Sequence, residues 1–294
     1  MKNLYHFIRP SYFYKNLLIF LPIIVSNNLI LFLDYSKIIT ASIIFFLITN
    51  LCYLINDYTD RHIDKLNKLK KRTKKLNFKN IYKYIFFYLL IIGGVIIFFD
   101  QQKNYYIYLY LINFLLYNFY FKKKKYLDLI FLTNFYLIRV FYGCQLFDLR
   151  ISFGFIIFLF LFFFSFGVYK RIIQISVNKI KSDNKIISYS NKDNNFLKKI
   201  IYNLIFLNFI IFQLYIALNL KIFKADYLMY FYQDFNLYSL LFLDLIYVFF
   251  IFRIIYTLSK NLIKDDVYIF FIKDKINFVL IILGISIFFY EFFI

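Results

Sequence analysis

The chain has 294 residues, 62% of them hydrophobic and 25% aromatic, with a mean hydropathy of +0.66 and a formal net charge of +20. So apolar a composition excludes an ordinary water-soluble domain and places the chain among polytopic membrane proteins. The basic excess, which in a soluble chain would suggest nucleic acid, is explained here by its distribution along the sequence.

Runs able to cross about 30 Å of hydrocarbon, at about 20 residues each, follow one another along the chain. They are 17–33, 38–57, 81–99, 104–121, 127–146, 152–170, 200–220, 236–256 and 276–292. The prediction is an all-α fold of nine transmembrane helices forming a single transmembrane domain over 1–294. The first run is too long for the apolar core of a cleaved leader and reads as a retained span. With nine spans, the N-terminus and the connections after even-numbered spans share one side and carry 30 of the 36 Lys and Arg, against 5 in the opposite connections. That asymmetry predicts a cytoplasmic N-terminus and an outside C-terminus in the cell (inner) membrane, with anionic lipid as a further partner of the basic loops and no nucleic acid. Cys52 and Cys144 both lie in apolar runs and read as small buried hydrophobes.

Polar residues at the edges of the spans come next, in chain order. Lys15 and Asn16 follow Arg9-Pro10 at the start of the first span. The second span ends in Asn56-Asp57-Tyr58-Thr59-Asp60-Arg61-His62-Ile63-Asp64 and opens into a strongly basic loop. If the helix continues, Asn56, Asp57, Asp60 and Asp64 fall at about 0°, 100°, 40° and 80° around its axis. Three carboxylates and an amide on one face repel one another and are costly to desolvate, and a divalent cation removes both problems. Oxygen-only ligands without His or Cys point to Mg²⁺, which takes one or two carboxylates plus substrate phosphate oxygens. The plainer reading is a solvated helix end paired with the lysines that follow.

Tyr117 and Lys122 close the fourth span, Asp128 opens the fifth, and Arg139 lies about 10 Å deeper. Lys170 and Arg171 close the sixth span, with Tyr189 in the loop after it. Arg253 ends the eighth span and Lys273-Asp274-Lys275 opens the ninth. An acidic cluster for a metal, ringed by Lys and Arg at one membrane face, suits a diphosphate. Each single Lys or Arg also has the ordinary reading of an interfacial anchor. Asp244, in mid-span, has no partner that the sequence identifies; Arg253 is too far along the same helix to neutralise it.

Asn56-Asp57-x-x-Asp60-x-x-x-Asp64 resembles the first aspartate-rich motif of the UbiA superfamily of intramembrane prenyltransferases, whose nine helices agree with the count above. The closest resemblance is to the decaprenyl-phosphate phosphoribosyltransferase branch. It is carried by Arg9-Pro10 with Lys15-Asn16, Tyr53 before Asn56-Asp57, the series Tyr117, Lys122, Asp128, Ile138-Arg139 and Gly143, then Lys170-Arg171, Tyr189-Ser190 and Lys273-Asp274-Lys275. The branch's His-Pro and Lys-Arg-x-Arg-Pro after the motif are replaced here by Asn67-Lys68 and Lys70-Lys71-Arg72-Thr73-Lys74, and a family Glu is Gln174. The second aspartate-rich motif of the aromatic prenyltransferases has no counterpart in 170–199, where only Asp183 and Asp193 occur.

The resemblance implies a Mg²⁺-dependent transferase acting on a polyprenyl lipid and a diphosphate donor. Asn56, Asp57, Asp60 and Asp64 would hold the metal, with Asp57, Asp60 and Asp64 the catalytic carboxylates. Lys15, Asn16, Tyr117, Lys122, Arg139, Lys170, Arg171 and Tyr189 would bind substrate. In that branch polyprenyl phosphate attacks C1 of 5-phosphoribosyl 1-diphosphate. The alternatives are prenyl transfer from a prenyl diphosphate to an aromatic acceptor such as 4-hydroxybenzoate, and, from another class, a lipid transporter using Arg139 and Asp244.

Overall fold

A computed structural model of the chain describes residues 10–26, 29–61, 81–99, 105–178, 189–219, 236–263 and 267–293. Among them every regular element is helical. A tight 3₁₀ segment (Pro10–Phe20) runs into α1 (Leu21–Val25), and a 3₁₀ turn (Leu29–Leu33) leads to α2 (Tyr35–Thr59). Then come α3 (Ile81–Phe99), α4 (Tyr105–Leu116) with a π turn (Tyr117–Phe121), α5 (Leu127–Leu146) and α6 (Phe153–Asn178). The chain continues through α7 (Asp193–Asn219), α8 (Leu237–Ser259), α9 (Val267–Lys273) and α10 (Lys275–Phe293).

Among the described residues the apolar runs read from the sequence fall largely on helical structure, but not every boundary holds. The first run is not one helix over 17–33. Helical structure starts earlier, at Pro10, whose fixed φ suits a helix start, and stops at Val25. Ser26 ends it by turning its hydroxyl back onto the carbonyl of Ile23 at 3.1 Å. The sixth helix does not close at Lys170-Arg171 but runs to Asn178, because Ile172, Ile173 and Ile175 continue its buried face. The seventh starts at Asp193, before the expected 200, because the Asp193 carboxylate accepts the N–H of Ser190 at 2.6 Å and its hydroxyl at 2.9 Å, fixing the entry turn.

Among the described residues five helices, not nine, are long and apolar enough to cross a membrane: Tyr35–Thr59, Leu127–Leu146, Phe153–Ser176, Asp193–Leu218 and Leu237–Ser259. Along α8 the exposed side chains Tyr238, Leu241, Phe242, Leu245, Phe249 and Phe252 repeat at helical spacing on one face. Facing water, such a stripe would be an aggregation hazard; facing lipid it costs nothing. The chain is a multi-pass membrane protein.

Helix α5 is the hub of the bundle. Its start places Leu129 in a cluster with α6, α7, α8 and α9, and its middle packs Leu137 and Val140 on α6. Its end puts Tyr142 and Leu146 among residues of the N-terminal segment, α2, α3 and α4. Cys52 and Cys144 are buried and unbridged, as small hydrophobes should be. Where α5 crosses the N-terminal segment the backbones meet, and a Cβ at Gly143 would lie 1.9 Å from the carbonyl oxygen of Ile19. One turn earlier on each element, the same crossing brings Arg139 against Asn16.

Gly143→Ala is therefore expected to destabilise the folded protein by about 1–3 kcal/mol, the usual cost of overpacking. Gly167→Ala, whose added carbon would sit 3.6 Å from the Leu129 side chain, should melt at or above the wild-type temperature. Equal thermal unfolding of the two variants in detergent would contradict this account of the crossing.

Candidate active site

Three polar layers run inward from the end of α2. The outermost is the acidic motif itself. Helix α2 stops at Thr59, and the N–H of Asp60 caps back onto the carbonyl of Asn56 at 2.9 Å. Asn56, Asp57 and Asp60 thus crowd the C-terminal end of a helix, where the macrodipole disfavours negative charge. Asp57 is buried, and Asp60 keeps a partly wet carboxylate. Lys122 supplies positive charge: its ammonium donates to Asn56 Oδ1 at 2.8 Å and to Asp60 Oδ2.

The π turn after α4 makes that reach possible. The N–H of Lys122 donates to the carbonyl of Tyr117 at 2.8 Å, an i→i+5 bond that sets Lys122 about one turn above Tyr117 on the same side. On the same turn, Asn118 Oδ1 accepts from the Thr59 hydroxyl at 3.3 Å.

The second layer is buried. Arg171 donates through Nε to Asp128 Oδ2 at 2.6 Å, through Nη1 to Gln174 Oε1, and through Nη2 to the Tyr117 hydroxyl at 3.3 Å. Tyr189 donates to the other Asp128 oxygen at 2.7 Å and accepts the N–H of Tyr126 at 2.7 Å. Burial raises the Tyr189 phenol above its ordinary pKa, so it keeps its proton and donates. Tyr117 lies within electrostatic reach of both Asp60 and Asp128 and joins the two layers.

The third layer lies deeper. Asn16 donates to Thr49 Oγ1 at 3.3 Å and accepts from Arg139 Nε at 3.1 Å. Arg139 also donates to the Phe135 carbonyl at 2.5 Å and the Tyr110 hydroxyl at 2.8 Å, with its guanidinium over the Tyr110 ring. Lys15, buried, is within electrostatic reach of the same tyrosine.

The expected gathering of residues is met in part. Asn56, Asp60 and Lys122 converge, and so do Tyr117, Arg171 and Tyr189. Arg171 and Tyr189 are held by Asp128 rather than presented singly to a ligand, and Arg139 is satisfied by neutral groups. Lys170 is half-buried within α6, not at its end. Asp64 lies outside the described residues, and so does the basic loop after it. Asp244 has a partner after all: Gln213 of α7 donates to it at 2.6 Å. Sequence reasoning named Asp128 and Gln174 without giving them a role in the site, and missed Tyr110, Thr49 and Asn118. The signal for Asp128 is an acid opening the helix beside the one that carries Arg171; Tyr110, Thr49 and Asn118 left none.

Among the described residues, no three His, Cys, Asp or Glu side chains are grouped to hold a metal ion. The oxygens of Asn56 and Asp60 do converge, and a cation, the Lys122 ammonium, sits on them. A hard, oxygen-only pair of this kind fits Mg²⁺, which needs few protein ligands when substrate phosphates and water complete its shell.

No family model matches the chain, and no curated protein does. A solved structure does: digeranylgeranylglyceryl phosphate synthase in membranes, with a TM-score of 0.62 over 99% of both chains at 16% sequence identity. The chain shares the fold of that membrane synthase.

The two ion pairs should respond differently to truncation. Asp128→Ala leaves a buried guanidinium uncompensated and should cost about 3–5 kcal/mol. Asp60→Ala breaks a half-wet pair and should cost about 1 kcal/mol or less. Thermal melts of the purified variants that reverse this order would refute the assignment of structural and functional roles.

Proposed function

We propose that the chain is a UbiA-type intramembrane transferase that moves phosphoribose from 5-phosphoribosyl 1-diphosphate to a polyprenyl phosphate, decaprenyl phosphate in the branch it resembles. The observation that carries the reading is the cation seated on Asn56 and Asp60 at the C-terminal end of α2. Carboxylates placed where a helix dipole repels them require a counter-cation, and a metal–diphosphate ligand provides one. The shared fold and the motif resemblance support the same class.

In this reading Asn56, Asp57, Asp60 and Asp64 hold Mg²⁺, which neutralises charge on the departing diphosphate. Lys122, Lys15 and Lys170 bind phosphate oxygens. Arg171, Tyr117 and Tyr189 shape the wall of the site through Asp128. An oxygen of the lipid phosphate attacks C1 of the ribose, the bond from C1 to the diphosphate oxygen breaks, and diphosphate leaves with the electron pair. The nucleophile is already an anion, so no protein base is required. The nine apolar segments span the cell membrane with the N-terminus cytoplasmic and the C-terminus outside, which puts the site at the cytoplasmic face.

The alternative, prenyl transfer from a prenyl diphosphate, draws on the neighbour's name and would use the same outer layer. Against it, Asp193, one of two carboxylates in 170–199, is engaged by Lys125 at 2.7 Å and by Ser190. Asp183 lies outside the described residues. The transporter reading loses its motive, because Arg139 and Asp244 both have internal partners.

The test uses membranes containing the protein, Mg²⁺ and labelled 5-phosphoribosyl 1-diphosphate with decaprenyl phosphate. A parallel tube holds labelled 4-hydroxybenzoate with polyprenyl diphosphate, and label is counted in extracted lipid. Label should enter lipid from the ribose donor, and Asp60→Asn should lower the rate by about 100-fold or more without unfolding the protein. Label from the aromatic acid alone would replace this reading with the prenyl one, and full activity of Asp60→Asn would end the metal assignment.

A further inference from the structure

The two ion pairs of the site are built to opposite ends. Arg171 and Asp128 are sealed, with side chains 6% and 0% exposed, and the guanidinium is forked onto partners from three elements. Lys122 and Asp60 are 25% and 15% exposed, and their contact lies at the rim. Arg is a rigid planar fork, whereas Lys is a point charge on a flexible four-carbon stem that can swing about its attachment.

The ammonium of Lys122 touches Asn56 Oδ1 and Asp60 Oδ2, the two oxygens of the described motif that converge. A Mg²⁺ ion ligated at about 2.0–2.1 Å by the same oxygens would need the same space. Both cations cannot be there together. Beside them, Asn118 Nδ2 is a buried donor with no acceptor among the described residues, although its amide oxygen is held by Thr59. A donor left unsatisfied at the rim of a cation site suits an anionic oxygen that arrives with the cation.

We infer that Lys122 is a displaceable internal counter-cation, occupying the cation position between Asn56 and Asp60 until a divalent ion enters with an anionic diphosphate, then leaving the carboxylate for a phosphate oxygen. The inference rests on the reading of the α2 end as a divalent-cation site. It adds that the site is never left as bare negative charge, and that cation and lysine compete. Asn118, one turn from Lys122, donates to the same incoming phosphate. No covalent bond changes in this exchange; one ammonium contact is traded for another.

The experiment titrates Mn²⁺ into the full-length protein in detergent and follows the free ion by its paramagnetic resonance signal. Wild type is compared with Lys122→Gln, Lys122→Arg and Asp60→Asn, with and without inorganic diphosphate. With its competitor removed, Lys122→Gln should bind Mn²⁺ alone about tenfold more tightly than wild type, the scale of a partly exposed ion pair. Lys122→Arg should not gain. Diphosphate should improve Mn²⁺ binding more in wild type than in Lys122→Gln. Equal or weaker Mn²⁺ binding by Lys122→Gln, in protein that melts like wild type, overturns the inference while leaving Asp60-dependent binding intact. Mn²⁺ binding that survives Asp60→Asn, or fails in every protein, overturns the cation site and the exchange together.

A second measurement needs no variant. Amine-reactive labelling of wild-type Lys122, read by mass spectrometry, should rise when Mn²⁺ is added alone and fall again with diphosphate. Labelling indifferent to Mn²⁺ would equally overturn the exchange.

Discussion

The pair between Arg171 and Asp128 is the contact on which the rest of the molecule turns. Two charges withdrawn from water cost several kcal/mol each unless they are paired and hydrogen-bonded, and here all three guanidinium nitrogens and both carboxylate oxygens are engaged. Asp128 sits at the start of α5 and Arg171 in the last third of α6. Tyr117 and Gln174 take the remaining guanidinium edges, and Tyr189 takes the second carboxylate oxygen. One salt bridge therefore fixes the end of α4, the start of α5, a face of α6 and the entry to α7. The acidic end of α2 is positioned against this frame through Lys122, which rides on the same turn as Tyr117.

The interior is more polar than the composition suggests, and its polar groups are layered. Deep in the bundle, a guanidinium is satisfied by an amide, a carbonyl and a phenol. In the middle, opposite charges neutralise each other. At the rim, the Asp60 carboxylate faces the wrong end of a helix dipole and leans on the Lys122 ammonium. Electrostatic tension thus increases toward the face where a ligand would arrive, while the layers beneath are satisfied. Such a gradient suits a site for a highly charged substrate: rigid support below and charge balanced by a single lysine above.

How far the sequence revealed this depends on how local each signal is. The apolar runs were readable because span length and hydropathy are properties of contiguous residues. The boundaries that moved were set by single contacts, such as the Ser26 hydroxyl on Ile23 and the Asp193 carboxylate on Ser190. Lys170 and Arg171 looked like a helix end because charge usually marks one. Their helix continues because the isoleucines beyond them are buried. The acidic motif could be read from its spacing, since Asn56 and Asp60 are one turn apart. The partners of Arg139 and Asp244 could not, because Asn16 and Gln213 belong to other helices and neither residue type announces a pairing. The convergence of Lys122 on Asn56 depends on a π turn, which no residue pattern in Tyr117–Phe121 specifies.

That turn contains one residue more than an α-helix would use for the same rise. The segment linking Tyr117 to Lys122 thus works as a gauge whose length, not chemistry, aligns the two layers. Wound as an α-helix instead, the same residues would carry Lys122 about 100° further around the axis, away from α2, while Tyr117 stayed on Arg171. The winding of this one turn, as much as the carboxylates themselves, therefore decides whether the ammonium reaches the acidic end of α2.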